Sequence, residues 1–262
     1  MTNAKNDALI GSTGFVGTTL LRQHSFHHLF RSTNIADIRG RGLDQLVCAG
    51  APAQKWIANR DPDADEANIS RLIDHLDTIH CQHFTLISTV DVFADPTGAD
   101  EATMPDEIGL HPYGRNRLAL EQFVAKKFPQ ALIVRLPGLV GAGLRKNVIF
   151  DFLNDNNLAD IDSRGVFQFY PMANLWSDIA IARSADLSLI HLTAAPLSVA
   201  EVARDGFGRE FHQEVVDAPA RYDFRTRHAA LYSSAGFYQY TKAQTLDVIR
   251  DYAHSEPKTA PD

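Results

Sequence analysis

The stretch that most constrains the fold is Asp7 to Leu21, DALIGSTGFVGTTLL. Ala8, Leu9 and Ile10 form a short apolar strand that runs into a turn carrying Gly11, Gly14 and Gly17, and the turn opens a helix. In such a turn Gly11 lets the chain leave the strand sharply, Gly14 lets backbone approach a pyrophosphate, and Gly17 lets the new helix pack on the strand. Phosphates placed there meet free N–H groups and the positive end of a helix dipole, so the backbone itself supplies an anion site. Thr13, Phe15 and Val16 lie between the glycines and are expected to line it. The same glycine spacing occurs in ordinary turns of α/β proteins. What favours a dinucleotide here is the strand before the turn and the helix after it.

Composition agrees with an α/β reading. At 262 residues, 45% hydrophobic and 22% charged, the chain is long enough for a sizeable core, as one domain with a lobe. A net charge of −7 argues against nucleic acid or an anionic membrane as the main partner. Cys48 and Cys81 lack metal-ligand spacing and read as reduced core thiols, and the 11 histidines show no HxH or HExxH grouping, so no metal is expected. His27 and His28 are adjacent on a strand, point to opposite faces and read as structural. MTNAKNDALI has no signal-peptide pattern and no apolar run approaches about 18 residues, which leads us to expect a soluble cytoplasmic protein. The tail from Ser255 to Asp262 reads as disordered.

Taken in order, His27 to Ser32 reads as the second strand, ending where an adenosine ribose would lie. Arg31 with Ser32 suits a 2′-phosphate, whereas an acidic residue there would suit the 2′-OH of NAD. NADP is therefore slightly favoured over NAD; Arg31 stacking on adenine or facing solvent is the alternative. A buried third strand, Leu43 to Ala51, ends in Ala49, Gly50 and Ala51 beside the dinucleotide. Lys55 and Trp56 lead into a polar stretch, Asn59 to Asp65, read as loop, from which Lys55 either reaches a substrate or stays solvated. Ile69, Leu72, Ile73, Leu76 and Ile79 give a helix over Glu66 to Ile79.

Phe84 to Phe93 reads as the next strand and puts Ser88, Thr89 and Asp91 at its carboxyl end, where open α/β sheets bind ligands. A helix from Pro112 through Phe123 follows, with Tyr113 and Arg117 on one face. Ala131 to Pro137 is the fifth strand, and Gly141 to Gly143 marks the exit to a lobe. Arg145 and Asn147 precede an apolar stretch, Val148 to Leu153, where either an anionic group binds or Asn147 simply caps a helix. Further on, Val166 to Tyr170, Leu187 to Leu192 and Phe211 to Val216 read as strands. Asn174 to Ala185, Leu197 to Val202 and Thr241 to Tyr252 read as helices. Arg221, Arg225, Arg227 and His228 form a basic cluster, as a solvated face or an anion site.

The expected architecture is α/β: a doubly wound, mostly parallel Rossmann sheet with a small C-terminal substrate lobe. The dinucleotide-binding core spans 1–145 with returning elements near 174–200, and the lobe spans 146–173 and 201–262.

From Asp7 to about Asn147 three motifs occur in order: the GxxGxxG turn, Ser88-Thr-Val-Asp-Val-Phe93, and Tyr113-Gly-Arg-Asn-Arg117. Together they resemble the extended short-chain dehydrogenase/reductases, most closely the nucleotide-sugar epimerase/dehydratase group. The resemblance implies that Thr89 donates a hydrogen bond to the substrate oxygen, that Tyr113 is the general acid/base, and that Arg117 stands where the family carries a lysine. That lysine holds the nicotinamide ribose and lowers the tyrosine pKa. The resemblance also implies that Pro137, Leu139 and Val140 bracket the nicotinamide. It places Asp91 where dehydratases carry one active-site acid; Val90 replaces the other, which argues against a dehydratase. The Arg-Asp-aromatic motif that clamps a pyrophosphate is missing after Asn174, so a nucleotide-sugar substrate rests on the rest of the pattern. Family members often form homodimers through helices such as the one after Tyr113, where Leu118, Leu120 and Phe123 serve either an interface or the core.

Two functions follow. The first is an NAD(P)-dependent oxidoreductase or epimerase acting on a sugar, nucleotide-linked by resemblance, through hydride transfer. The alternative is a dinucleotide-binding regulator or interaction protein that kept the fold and lost turnover.

Overall fold

The computed structural model describes residues 6–259. The chain opens with β1 (Asp7–Ile10), α1 (Phe15–Gln23), β2 (His28–Phe30) and β3 (Gly42–Cys48). There follow α2 (Lys55–Arg60), α3 (Pro62–Leu76), β4 (His80–Thr89), α4 (Pro112–Lys127), β5 (Leu132–Leu136) and β6 (Gly138–Val140). Next come α5 (Val148–Asn154), β7 (Val166–Phe167), β8 (Phe169–Pro171), α6 (Leu175–Ser184), β9 (Leu189–His191), β10 (Leu197–Ser198), α7 (Val199–Glu201) and α8 (Lys242–Ser255).

Two compact units result: residues 1–94, 103–135 and 176–190 in the first, and 95–102, 136–175 and 191–262 in the second. The first holds a six-stranded sheet of order β2-β1-β3-β4-β5-β9, in which β2, β1, β3 and β4 run parallel. The first strand lies next to one edge of this sheet; the chain steps out to β2 at that edge and returns on the other side of β1 as β3. The strand order therefore reverses between β1 and β3, at the point where doubly wound sheets bind ligands. Its core stacks Phe84 on Phe128 and buries Ile10, Leu46, Leu76, Leu86 and Leu120. Leu118 and Leu120 are buried, and half-buried Phe123 packs against this core, so the apolar face of α4 faces the unit's own interior.

Residues 136–145 and 191–200, assigned to the core from sequence, belong instead to the second unit, because their partners do. There β6 pairs with β8 and β10 with β7. The fully buried Gln168 amide donates to Thr193 Oγ1 (2.8 Å), Ala194 O (2.7 Å) and Phe224 O (2.7 Å). The segment 95–102 joins this unit through Gly98 N–H to Asp223 O and through Glu101, whose carboxylate accepts from Thr226 and from the backbone of Arg227 and His191.

Several elements depart from the sequence expectation, each for a local reason. Asn59 to Asp65 is not loop: Asp61 caps α3 by accepting from Ala64 N, and Pro62 occupies its first turn. The α3 helix ends at Leu76, so Ile79 leads into β4. The β4 strand stops at Thr89, whose hydroxyl accepts from Asp91 N (3.1 Å) and turns 90–92 into one turn of 3-10 helix. The alternating run 166–170 breaks at Gln168 into two strands with different partners. Leu197 and Ser198 pair as β10, and helix begins only at Val199, with Ser198 and Glu201 forming a capping box.

Phe211 to Val216 is not a strand. Asp162 accepts from Val215 N and Val216 N, the Gln213 amide bonds three carbonyls of 158–161, and both valines are exposed. In the tail, Glu256 accepts from Gly143 N (2.8 Å) and Thr259 N donates to Asn154 (2.6 Å), so order persists to Thr259. Residues 260–262 of the expected disordered tail, and residues 1–5, lie outside the described residues. Cys48 is buried and Cys81 half-buried, and burial pushes both thiols up to about 11.

At the start of β1, buried Asp7 takes hydrogen bonds from the backbone and ring of His27 (3.0 and 2.6 Å) and from His24 (3.0 Å). Burial alone would raise its carboxyl; these bonds outweigh burial and hold it below the usual range. The stability it contributes is present above the unfolded carboxylate pKa and is lost as pH falls through the depressed folded value. Urea unfolding from neutral pH to about pH 3 should therefore show a steeper acid loss for the natural chain than for Asp7→Asn. Parallel curves would remove Asp7 from the account.

Candidate active site

The turn after β1 is built by two backbone contacts that admit only glycine. A Cβ on Gly17 would stand 2.0 Å from Gly11 O, and one on Gly11, at φ +85°, would stand 2.3 Å from Ala49 O. These glycines thus lock α1 to β1 and the turn to the half-buried Ala49-Gly50-Ala51 segment after β3. Gly14 differs. Its φ of −78° and ψ of 169° suit any residue, and an added Cβ would meet only Gly11 O, at 3.5 Å. Neither conformation nor packing requires glycine there, so the space in front of it is room for something outside the chain.

Gly14 caps α1 with no side-chain hydrogen bond, and Thr13 and Gly14 are exposed. Phe15 and Val16 are half-buried at the first turn of the helix. An uncapped helix start behind an exposed glycine fits a dinucleotide pyrophosphate. Gly11 N donates to Phe30 O (2.8 Å), which brings the end of β2 alongside the turn. Arg31 and Ser32 follow, both exposed. Arg31 is fixed through its backbone N–H to Asn34 (2.7 Å), and its guanidinium makes no hydrogen bond or ion pair among the described residues.

The second cluster lies at the end of β4 and the start of α4. His111 caps α4 by accepting from Gly114 N (3.0 Å), and Pro112 opens the helix. A Cβ on Gly114 would stand 2.1 Å from Asp91 O, so α4 starts directly against the turn that follows Thr89. Asn59 of α2 accepts from Tyr113 N (3.1 Å). Tyr113 is 8% exposed, and His111 lies 6.2 Å from it, ring to ring. Thr89 Oγ1 lies 3.4 Å from Asp91 Oδ2, and Asp91 Oδ1 accepts from Lys55 Nζ at 2.7 Å. Lys55 thus sits on a helix and reaches this cluster. Ser88 turns elsewhere: its hydroxyl donates to Glu121 (2.5 Å), which also holds buried Arg135 (2.7 Å).

Arg117 is 3% exposed and is not presented to solvent. Its Nη1 and Nη2 reach both oxygens of buried Asp65 (2.7 and 2.9 Å), Nη2 also donates to Pro52 O, and Asn116 donates to the same carboxylate (2.8 Å). Its Nε is buried without a partner among the described residues, and its guanidinium carbon lies 4.2 Å from the Tyr113 ring centroid. The charge therefore lies near the ring while its Nη donors hold Asp65 of α3 and the Pro52 carbonyl. Burial pushes Tyr113 above the usual phenol range; Arg117 opposes this and Asp91 adds to it. Burial, then Lys55, pull His111 down, so it is a neutral ring.

In the second unit, Pro137 and Val140 are buried and Leu139 half-buried along β6, and Arg145 is exposed. Asn147, at φ 91°, caps α5 through Ile149 N (2.9 Å) and donates to Leu139 O (2.9 Å). Of the basic cluster, Arg225 is held by Asp223 (2.5 Å). Asp65, Asn59, His111 and Pro52 were not singled out from sequence. Only the Asp61-Pro62 helix start and the His111-Pro112 step hinted at the first and third, as helix-cap signals rather than site signals.

No protein-family model matches this sequence, and no curated protein matches it. Solved structures do. UDP-glucose 4-epimerase of Thermotoga maritima with UDP-glucose aligns over 95% of this chain and 97% of its own, with TM-score 0.68 and 13% identity. The fold is that of the extended short-chain dehydrogenase/reductases. The dTDP-4-dehydrorhamnose reductase of Bacillus anthracis in complex with NADP matches over 95% and 98%, with TM-score 0.69 and 17% identity. A double mutant of dTDP-glucose 4,6-dehydratase from Streptomyces venezuelae with NAD matches over 95% and 97%, with TM-score 0.69 and 13% identity.

Removing one partner of a buried pair leaves the other charge stranded, so Asp65→Ala should cost about 3–5 kcal/mol in urea unfolding. The apolar double replacement Asp65→Leu with Arg117→Met should recover most of it. Equal losses in the single and double variants would contradict this reading of the pair.

Proposed function

We propose that this chain is an NAD(P)-dependent oxidoreductase or epimerase that acts on a sugar, nucleotide-linked as in its structural neighbours, with Tyr113 as the acid/base. The observation that carries the reading is the pairing, in one unit, of an open glycine turn at the sheet's switch point with a buried Tyr113 beside Thr89. The turn, with Thr13, Gly14, Phe15 and Val16, would hold a pyrophosphate, and Ala49, Gly50 and Ala51 would border the dinucleotide.

A bound nicotinamide dinucleotide would supply the hydride donor or acceptor. The chain's own groups handle the proton. Thr89 Oγ1 orients the substrate oxygen, and Tyr113 passes a proton to it during reduction or takes one during oxidation. Its raised pKa keeps the phenol protonated near neutrality, which suits the donating step. Reduction and epimerisation draw on this same pair. Val90 in place of a second carboxylate disfavours elimination.

Tyr113→Phe should keep dinucleotide binding and lose redox turnover of a keto sugar by about a hundredfold or more. Turnover equal to the natural chain would defeat the assignment. Binding without turnover in the natural chain itself would favour the regulator reading, which the commitment of Arg117 to Asp65 supports.

Arg31, exposed just past β2 and with no side-chain partner among the described residues, favours NADP through its 2′-phosphate. Arg31→Asp should shift the NADP-to-NAD affinity ratio toward NAD by about tenfold or more. An unchanged ratio would remove Arg31 from the site.

A further inference from the structure

We propose that Lys55, rather than Arg117, is the cation that serves the Thr89–Tyr113 centre, reaching from α2 to a hydroxyl of the bound dinucleotide's ribose or of the sugar. This rests on the functional reading above.

A cation that engages a ligand needs donors it can turn outward. Arg117 has none to turn outward: its Nη atoms are spent on Asp65 and Pro52, its Nε, without a partner among the described residues, is buried with the rest of a side chain 3% exposed, and freeing the guanidinium would strand a buried carboxylate. His111 does not serve either, since its Nδ1 caps α4 and burial holds the ring neutral.

Lys55 differs in exposure and in the strength of its tie. Its side chain is 38% exposed, and it pairs with Asp91, itself 18% exposed, at 2.7 Å. Such a half-exposed bridge is weak and exchanges readily for a ligand hydroxyl. Its place is fixed: Asn59 on the same helix accepts from Tyr113 N, and Asp91 reaches the Thr89 hydroxyl. Asp91 would then hold Lys55 near the reacting oxygen until a ligand binds, and an ammonium on a flexible stem would adjust to it.

The test is calorimetric titration of the full chain and its Lys55→Met and Lys55→Arg variants, with NADPH in one arm and UDP-glucose in the other. Lys55→Met should weaken binding about tenfold in the arm whose hydroxyl it meets, which identifies the ribose or the sugar as the source. Lys55→Arg should restore most of the affinity, and thermal unfolding should be unchanged in both variants. Unchanged affinities in both arms, or a loss that tracks a lowered unfolding temperature and is not rescued by arginine, would overturn the inference and leave the bridge a surface tie. Failure of the natural chain to bind either ligand would instead overturn the functional reading.

Discussion

The close approach of Gly17 to Gly11 is the contact on which the first unit depends. With 2.0 Å between Gly11 O and the position a Cβ on Gly17 would occupy, no side chain fits at that crossing. The helix is thereby pressed onto the strand it leaves, and its first turn points past Gly14 into open space. One steric constraint does two things at once: it seats α1 on the sheet, and it leaves backbone N–H groups at the switch point of the strand order without a side-chain cap. Under the proposed reading this turn holds an anion without any charged residue being placed there.

The second cluster is held by buried charge. Arg117 with Asp65 ties α4 to α3, and Arg135 with Glu121 ties β5 to α4, all four side chains being at most 5% exposed. These pairs position the start of α4, and so Tyr113, against the turn after Thr89. Their guanidiniums carry a cost, because a cation tied to a buried carboxylate no longer serves a ligand. The family position that resemblance gives to a lysine is filled here by a residue whose Nη atoms are held by a buried carboxylate. The half-exposed Lys55 reaches the same cluster through Asp91.

The mostly parallel sheet, the glycine turn, β3 and the helix carrying Tyr113 were legible in the sequence, because strand periodicity, glycine spacing and a helix-opening proline are local signals. The segments that were misread depend on partners far along the chain. Phe211 to Val216 has a strand's alternation, but its backbone is satisfied by Asp162, and Val166 to Tyr170 is broken by the hydrogen bonds of Gln168 to residues near 193 and 224. Arg117 could be placed on the same helix face as Tyr113, but its direction could not: that depends on Asp65, and no local pattern links positions 65 and 117. Lys55 was read from a loop because α2 is only six residues long and starts without a side-chain cap.

The central claim is that the Gly11 to Gly17 turn binds a nicotinamide dinucleotide. Its most direct test is calorimetric titration of the purified chain with NADPH, NADP, NADH and NAD, repeated on Gly14→Val, whose Cβ would meet only Gly11 O, at 3.5 Å. The account predicts saturable binding to a single site, tighter for the phosphorylated forms, in the natural chain, and loss of that binding in a Gly14→Val protein with an unchanged circular dichroism spectrum. A folded, cofactor-free natural chain that binds none of the four, or a Gly14→Val variant that binds as tightly as its parent, would contradict it.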